Sequence, residues 1–176
     1  MLDHLGQEDL RLRLASSLAR YAAPVDPAWI DDNGHMSVEA YSVLLRQVLG
    51  SALEEWGYGA SYRKATGHGT FVVQTHSTYH RELKLGQVVL VTTRILGLDD
   101  KRVHVMSEFW NGEEGYRAAI MEYLTLNVSR SPAPRASPIE ADARRKLHRF
   151  ALEQAGVPVP ADWRSGIRFK PSADVI

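Results

Sequence analysis

From Val38 to Trp56 the apolar side chains fall at 38, 41, 44, 45, 48, 49, 52, 53 and 56, the i, i+3, i+4 spacing of a helix with one wide face to bury. Ser37 supplies a N-cap, Glu39 suits the positive end of the helix dipole, and Gly57 and Gly59 end the run. Gly50 inside it costs about 1 kcal/mol relative to alanine, which predicts close packing at that point. Whatever else the chain forms has to cover this face.

The cover comes from a change of period. After Gly67-His68-Gly69, Phe71, Val73, Thr75, Ser77 and Tyr79 alternate with Val72, Gln74, His76, Thr78 and His80, as in a strand with two different faces. Further strands follow at Gln87–Leu96, Arg102–Trp110 and Tyr116–Val128. Leu85-Gly86, Gly97-Leu98-Asp99-Asp100 and Asn111-Gly112 separate them as tight turns, so the four make an antiparallel meander. Residues 1–19 read as an N-terminal arm or short helix, and Arg20–Val25 as one more strand. Residues 131–176 read as a proline-rich linker, a helix to about Ala155 and an extended tail packed on the same domain. Ser137-Pro138-Ile139-Glu140 fits a capping box with proline in the first turn of that helix. The fold class is α+β, with one central domain over residues 20–130. Met106, Trp110, Met121 and Tyr123 are assigned to a second apolar sheet face, which predicts an oligomer to cover it.

Formal net charge is zero, so no general attraction to nucleic acid or membrane is implied. There is no cysteine, which excludes disulfides, zinc-thiolate sites and a cysteine nucleophile. No apolar run approaches membrane-spanning length, and the first residues lack the apolar core of a signal peptide, so a cytoplasmic protein is expected.

The stretch Asp31-Asp32-Asn33-Gly34-His35-Met36 stands just before the long helix. It joins a carboxylate, a turn that Gly34 can make at positive φ, and a helix N-terminus whose N–H groups can polarise a carbonyl. Taken alone, such a turn is more often structural than catalytic. His76 and His80 share a strand face with Gln74, but no third ligand accompanies them and no metal is expected. Glu122 falls among Ala118, Ile120, Leu124 and Leu126, so either the strand bulges there or the carboxylate meets a polar partner.

Asp31, Gly34 and His35, with Tyr41 six residues past the histidine, resemble the Asp-x-x-Gly-His mark of hotdog-fold acyl-CoA thioesterases of the 4-hydroxybenzoyl-CoA thioesterase branch. The run Tyr79 to Leu90 and the hairpin Asp99 to His104 are similar to further features of that branch. The resemblance covers about residues 20–130. It implies a curved sheet wrapped around the central helix, hydrolysis of a small or medium acyl-CoA, no cofactor, and a homodimer or homotetramer. Asp31 is implied as nucleophile or general base, with His35 as its catalytic companion. Asn33, Gly34, Met36, Ser37, Val38, Tyr41, Gln74 and His76 are implied as substrate-binding. Lys101 and Arg102, with the basic C-terminal helix, are candidates for the CoA phosphates. Many members carry Asn soon after the histidine, where this chain has Ser37 and Val38. The sequence is most similar to members of carnitine breakdown thought to hydrolyse betainyl-CoA, sharing Trp29-Ile30-Asp31 and Asn33-Gly34-His35-Met36; those tend to have Glu where Gln74 stands. The alternatives are a hotdog protein that binds acyl-CoA without turnover and a hotdog hydratase or dehydratase, whose histidine lies five rather than four residues past the aspartate.

Overall fold

The computed structural model describes residues 2–172; Met1 and residues 173–176, the ends of the expected arm and tail, lie outside the described residues. In chain order the elements are α1 (Leu2–Leu14), β1 (Ala19–Pro24), α2 (Val38–Glu55), α3 (Ala60–Thr66), β2 (His68–Tyr79), β3 (Val88–Leu98), β4 (Arg102–Asn111), β5 (Arg117–Ser129), β6 (Arg135–Ala136) and α4 (Ala141–Gln154). The main strands form one antiparallel sheet in the order β1-β3-β4-β5-β2, with β6 paired to β5. The sheet curls around α2, which buries Ala40, Tyr41, Leu44, Val48, Leu49, Ala52 and Leu53. These pack with Val89, Val91, Val105, Phe109, Met121 and Tyr123 from the concave face of the sheet. Removing that much apolar surface from water is the main force holding helix and sheet together.

Several expectations change against this fold. In β2 the register shifts between Val72 and Gln74, so Val73 is an extra residue in a β-bulge. Beyond it Thr75, Ser77 and Tyr79 pair with Tyr123, Met121 and Ala119 on the concave side, together with Val72. Phe71 joins Gln74, His76 and Thr78 on the convex side. The uninterrupted two-residue alternation is therefore broken by one inserted residue.

Met121 and Tyr123 belong to the core, while Met106 and Trp110, paired with Glu122 and Arg117, face the convex side. That side is covered by the chain itself. Arg13 of α1 and Arg117 lie over the Trp110 ring, and the segment after α4 crosses the face. Along that crossing Arg94 donates to the Val157 carbonyl at 2.6 Å, Arg117 to Asp162 at 2.6 Å, and Gly166 N–H to Glu122 at 2.6 Å. No second subunit is needed to bury Met106 and Trp110.

The capping box at Ser137 does not form. α4 starts at Ala141, and Glu140 before it makes no side-chain cap bond. The Asn127 amide instead donates to the carbonyls of Ser137 and Pro138, and Ile139 N–H donates to Asp100, which holds 137–139 extended. Gly50 is not a close-packing site either, since a Cβ there would meet nothing within 4 Å.

Candidate active site

The segment Ile30–Met36 closes as a small loop on the mouth of the core. Ile30 and Met36 form a β-bridge, Asp31 N–H donates to the His35 carbonyl at 3.0 Å, and Gly34 N–H donates to the Asp31 carbonyl at 2.9 Å. Gly34 sits at φ 81°, a left-handed conformation that side chains other than glycine strain to reach. Two further bonds set the loop on the fold: Ser37 N–H to the Trp29 carbonyl and Met36 N–H to the Leu83 carbonyl. Ser37 then caps α2, its hydroxyl accepting from Ala40 N–H at 3.2 Å. The first N–H groups of α2 have no intrahelical partner, as at any helix start, and carry the positive end of its dipole.

Asp31 is held by its own loop. Its Oδ1 accepts from Asn33 N–H at 2.9 Å and its Oδ2 from the Asn33 amide at 3.4 Å. Desolvation works to raise its pKa, but the Asn33 donors and the neighbouring His35 outweigh it, and the carboxyl titrates below its ordinary value. Asp31 is therefore an anion at neutral pH. His35 Nδ1 lies 3.8 Å from Asp31 Oδ1, and His35 Nε2 lies 3.6 Å from Glu82 Oε1.

A cavity of about 350 Å³ opens beside these groups, lined by Asp31, His35, Met36, Val38, Tyr41 and Tyr79, with His80, Arg81 and Glu82 completing its rim. Tyr41 meets Tyr79 edge-on at 5.1 Å and Phe109 at 5.3 Å. Burial first, then the neighbouring Tyr79 and Tyr116 hydroxyls, push the Tyr41 hydroxyl well above its usual pKa, so it keeps its proton and is available as a donor. His80 is lowered by desolvation and by Arg117, with Asp162 opposing.

The structure thus brings together Asp31, His35, Met36, Val38 and Tyr41 around one cavity, with Asn33, Gly34 and Ser37 shaping the loop behind them. It separates the others. Gln74 and His76 lie on the convex face, and His76 Nδ1 pairs with Glu122 at 3.0 Å. Lys101 precedes β4 and Arg102 begins it, whereas Phe109, beside Tyr41, is seven residues along the strand, roughly 23 Å at about 3.3 Å per residue. Arg102 is also engaged by Asp99 and stacked over Phe169. The basic face of α4 borders a separate hollow of about 520 Å³, which shares no lining residue with the Asp31 cavity. Of the large aromatics, Trp56, Tyr58 and Trp110 are fully buried and absent from this cavity's lining, whereas Tyr41 and Tyr79 form part of its wall. Glu82 escaped the sequence reading because it stands in the β2–β3 connection, where no periodicity marks a facing side chain; His80, read as part of the strand with Gln74 and His76, lies just past the end of β2 and on the cavity rim.

This fold is that of a known group. The Thioesterase-like superfamily matches residues 25–147, and the chain belongs to it. It is 30% identical over 147 residues to a betainyl-CoA thioesterase of Pseudomonas aeruginosa, across 84% of this chain and 92% of that protein. It is 35% identical over 162 residues to an L-carnitine dehydrogenase/betainyl-CoA thioesterase of Agrobacterium fabrum, covering 92% of this chain but 31% of that longer protein. Among solved structures, a Staphylococcus aureus protein in complex with CoA superposes with TM-score 0.73 at 23% identity, over 86% of this chain and 96% of that one. A 1,4-dihydroxy-2-naphthoyl-CoA thioesterase from Synechocystis does so with TM-score 0.65 at 14% identity, over 74% and 95%. The chain is a hotdog-fold thioester hydrolase. No helix among the described residues is long and apolar enough to cross a membrane.

Proposed function

We propose that the thioester hydrolysed is that of a small or medium acyl-CoA and that Asp31 carries the reaction. The observation behind this is the position of an ionised carboxylate beside the start of α2, on the wall of a cavity that also holds a protonated tyrosine hydroxyl. With the acyl group in the cavity, the α2 N–H groups and Tyr41 stabilise the negative charge that develops on the carbonyl oxygen. Asp31 either adds to the carbonyl carbon, giving an anhydride that water opens, or takes the proton of an attacking water. On both routes the C–S bond breaks, CoA leaves as a thiolate that then takes up a proton, and the acyl group departs as its carboxylate.

Betainyl-CoA is the first candidate substrate. Relatives that carry that name are 30% and 35% identical to this chain, and the cavity holds the Tyr41 and Tyr79 rings, groups suited to a trimethylammonium head. The active unit in this reading is at least a dimer, joined through β2. That strand is a sheet edge, and Phe71, Val72 and Val73 on it are 44%, 45% and 48% exposed. Release of free thiol from a panel of acyl-CoAs, betainyl-CoA included, tests the assignment. Asp31→Asn should lower kcat by about 10² to 10⁴-fold with the fold intact. Equal rates in the two proteins would remove Asp31 from the chemistry, and no release from any thioester would favour a binding protein.

A further inference from the structure

His35 has a carboxylate at each ring nitrogen, Asp31 at 3.8 Å from Nδ1 and Glu82 at 3.6 Å from Nε2. The two acids reach it from different elements. Asp31 belongs to the loop before α2, and Glu82 to the β2–β3 connection, yet both border one cavity. The connection is fixed to the site at two points. Leu83, fully buried, accepts the Met36 N–H at 2.7 Å, and the carbonyl of Glu82 itself accepts from the Tyr116 hydroxyl at 2.7 Å. The Glu82 backbone is thus fixed at the edge of the cavity, which places its carboxylate within reach of the imidazole. Its other oxygen faces Lys84 Nζ at 3.5 Å, which holds the side chain from behind.

We infer that Glu82 is a positioning residue for the hydrolysis, orienting the His35 imidazole so that Nδ1 is presented to Asp31 in the acyl cavity. The inference rests on the reading that the Asp31 loop performs the chemistry. A carboxylate at one ring nitrogen decides which way the ring faces and which nitrogen holds a proton, and so what the other nitrogen offers its neighbour. The separations are longer than direct hydrogen bonds. Contacts of catalytic groups commonly tighten when substrate closes the site. Glu82 is half exposed in the free protein, so the acyl group is what would exclude solvent around the pair.

The test is steady-state kinetics on the full chain with betainyl-CoA and its uncharged carbon isostere, tert-butylacetyl-CoA. Glu82→Ala should lower kcat by roughly 10- to 100-fold on both, with KM within about twofold. Glu82→Asp should recover part of the loss. In a His35→Ala background, Glu82→Ala should cost nothing further, because Glu82 acts through the imidazole. Losses that multiply would overturn the inference. So would a rise in KM for betainyl-CoA alone, which would make Glu82 a counter-ion for the cationic head. Asp31→Asn run alongside separates the two readings. Its loss with unaltered Glu82→Ala rates sinks only the role of Glu82, whereas wild-type rates in Asp31→Asn sink the loop's assignment itself. Nitrogen NMR of the His35 ring gives a readout without turnover: its Nε2 resonance should move in Glu82→Ala, and an unmoved resonance would overturn the contact.

Discussion

At the scale of single residues, the fold places acids where they are matched by donors. Asp31 takes its donors from Asn33, and its lowered pKa keeps it anionic across the neutral range. Its titration therefore contributes an acid limb to kcat/KM only below about pH 4. A limb above pH 5 that persists in both His35→Gln and His80→Gln would show that the loop does not hold the carboxyl as described. Glu122 is the second case. Fully buried, it accepts from His76 at 3.0 Å, His104 at 3.1 Å, the Ser165 hydroxyl at 2.7 Å and Gly166 N–H at 2.6 Å. Of the two explanations left open by the sequence, a bulge at Glu122 or a polar partner, the second holds. The partners come from β2, β4 and the segment after α4, and no local pattern could have foretold that convergence. Glu122→Ala leaves four donors facing a void and is expected to cost about 3 kcal/mol in urea unfolding, without lowering kcat of the folded fraction.

At the scale of elements, what the sequence made legible was whatever local physics decides. The α2 face, its Ser37 cap and the β3-β4-β5 meander follow from spacing and turn chemistry, and they stand within a residue or two of expectation; β2 leaves the expected four-strand meander, pairing with β5 at the far edge of the sheet rather than with β3. Ser37→Ala should cost about 1 kcal/mol of stability. Because the same cap sets the first turn of α2 beside Asp31, it should lower kcat as well, and a loss of stability with unchanged kcat would uncouple the cap from the site. The misreadings came from long-range competition. Asn127, on β5, captures the Ser137 and Pro138 carbonyls, and the local capping signal loses to it. The bulge at Val73 moves Phe71 and Val72 to opposite faces from those assigned, and one inserted residue is invisible to a two-residue period. α3 (Ala60–Thr66) is short and hides between glycines, with its left-handed cap at Gly67 read only as loop. The candidate site divides along the same line. Asp31, Gly34, His35 and Tyr41 lie within one continuous stretch and were readable, while Glu82 reaches them only through the fold.

At the scale of the whole molecule, the convex face of the sheet is closed by the chain's own ends, and that closure ties stability to pH. His104, on that face, pairs with Glu122 and stacks edge-on against Phe169 at 5.6 Å; His80 lies next to Arg117 and Asp162. Desolvation lowers the pKa of His104 despite the Glu122 bond, and desolvation together with Arg117 lowers that of His80. For both, the unfolded chain binds the proton more readily than the folded one. Stability then rises with pH through this window, so it is complete above about pH 6.5 and declines as the pH falls from there towards the lowered folded values. Lowered carboxyls at Asp31, Asp99 and Asp162 act in the same direction but at lower pH, because their contribution is present above the unfolded value and lost on further acidification. Urea unfolding between pH 7.5 and 5 should therefore show a first decline owed to the histidines, separate from acid denaturation below pH 4. His104→Gln keeps a donor toward Glu122 without a titrating ring, and it should flatten that first decline. Gly166→Ala attacks the closure sterically, since a Cβ there would clash with the His76 ring. It should loosen residues 156–172 and speed their cleavage by a protease at neutral pH. Acidification should then add less to that rate than it does in the wild type, because the contacts that bury His104 are already weakened. A Gly166→Ala protein whose protease sensitivity still climbs as steeply with acid would show that the histidines act on stability independently of the tail.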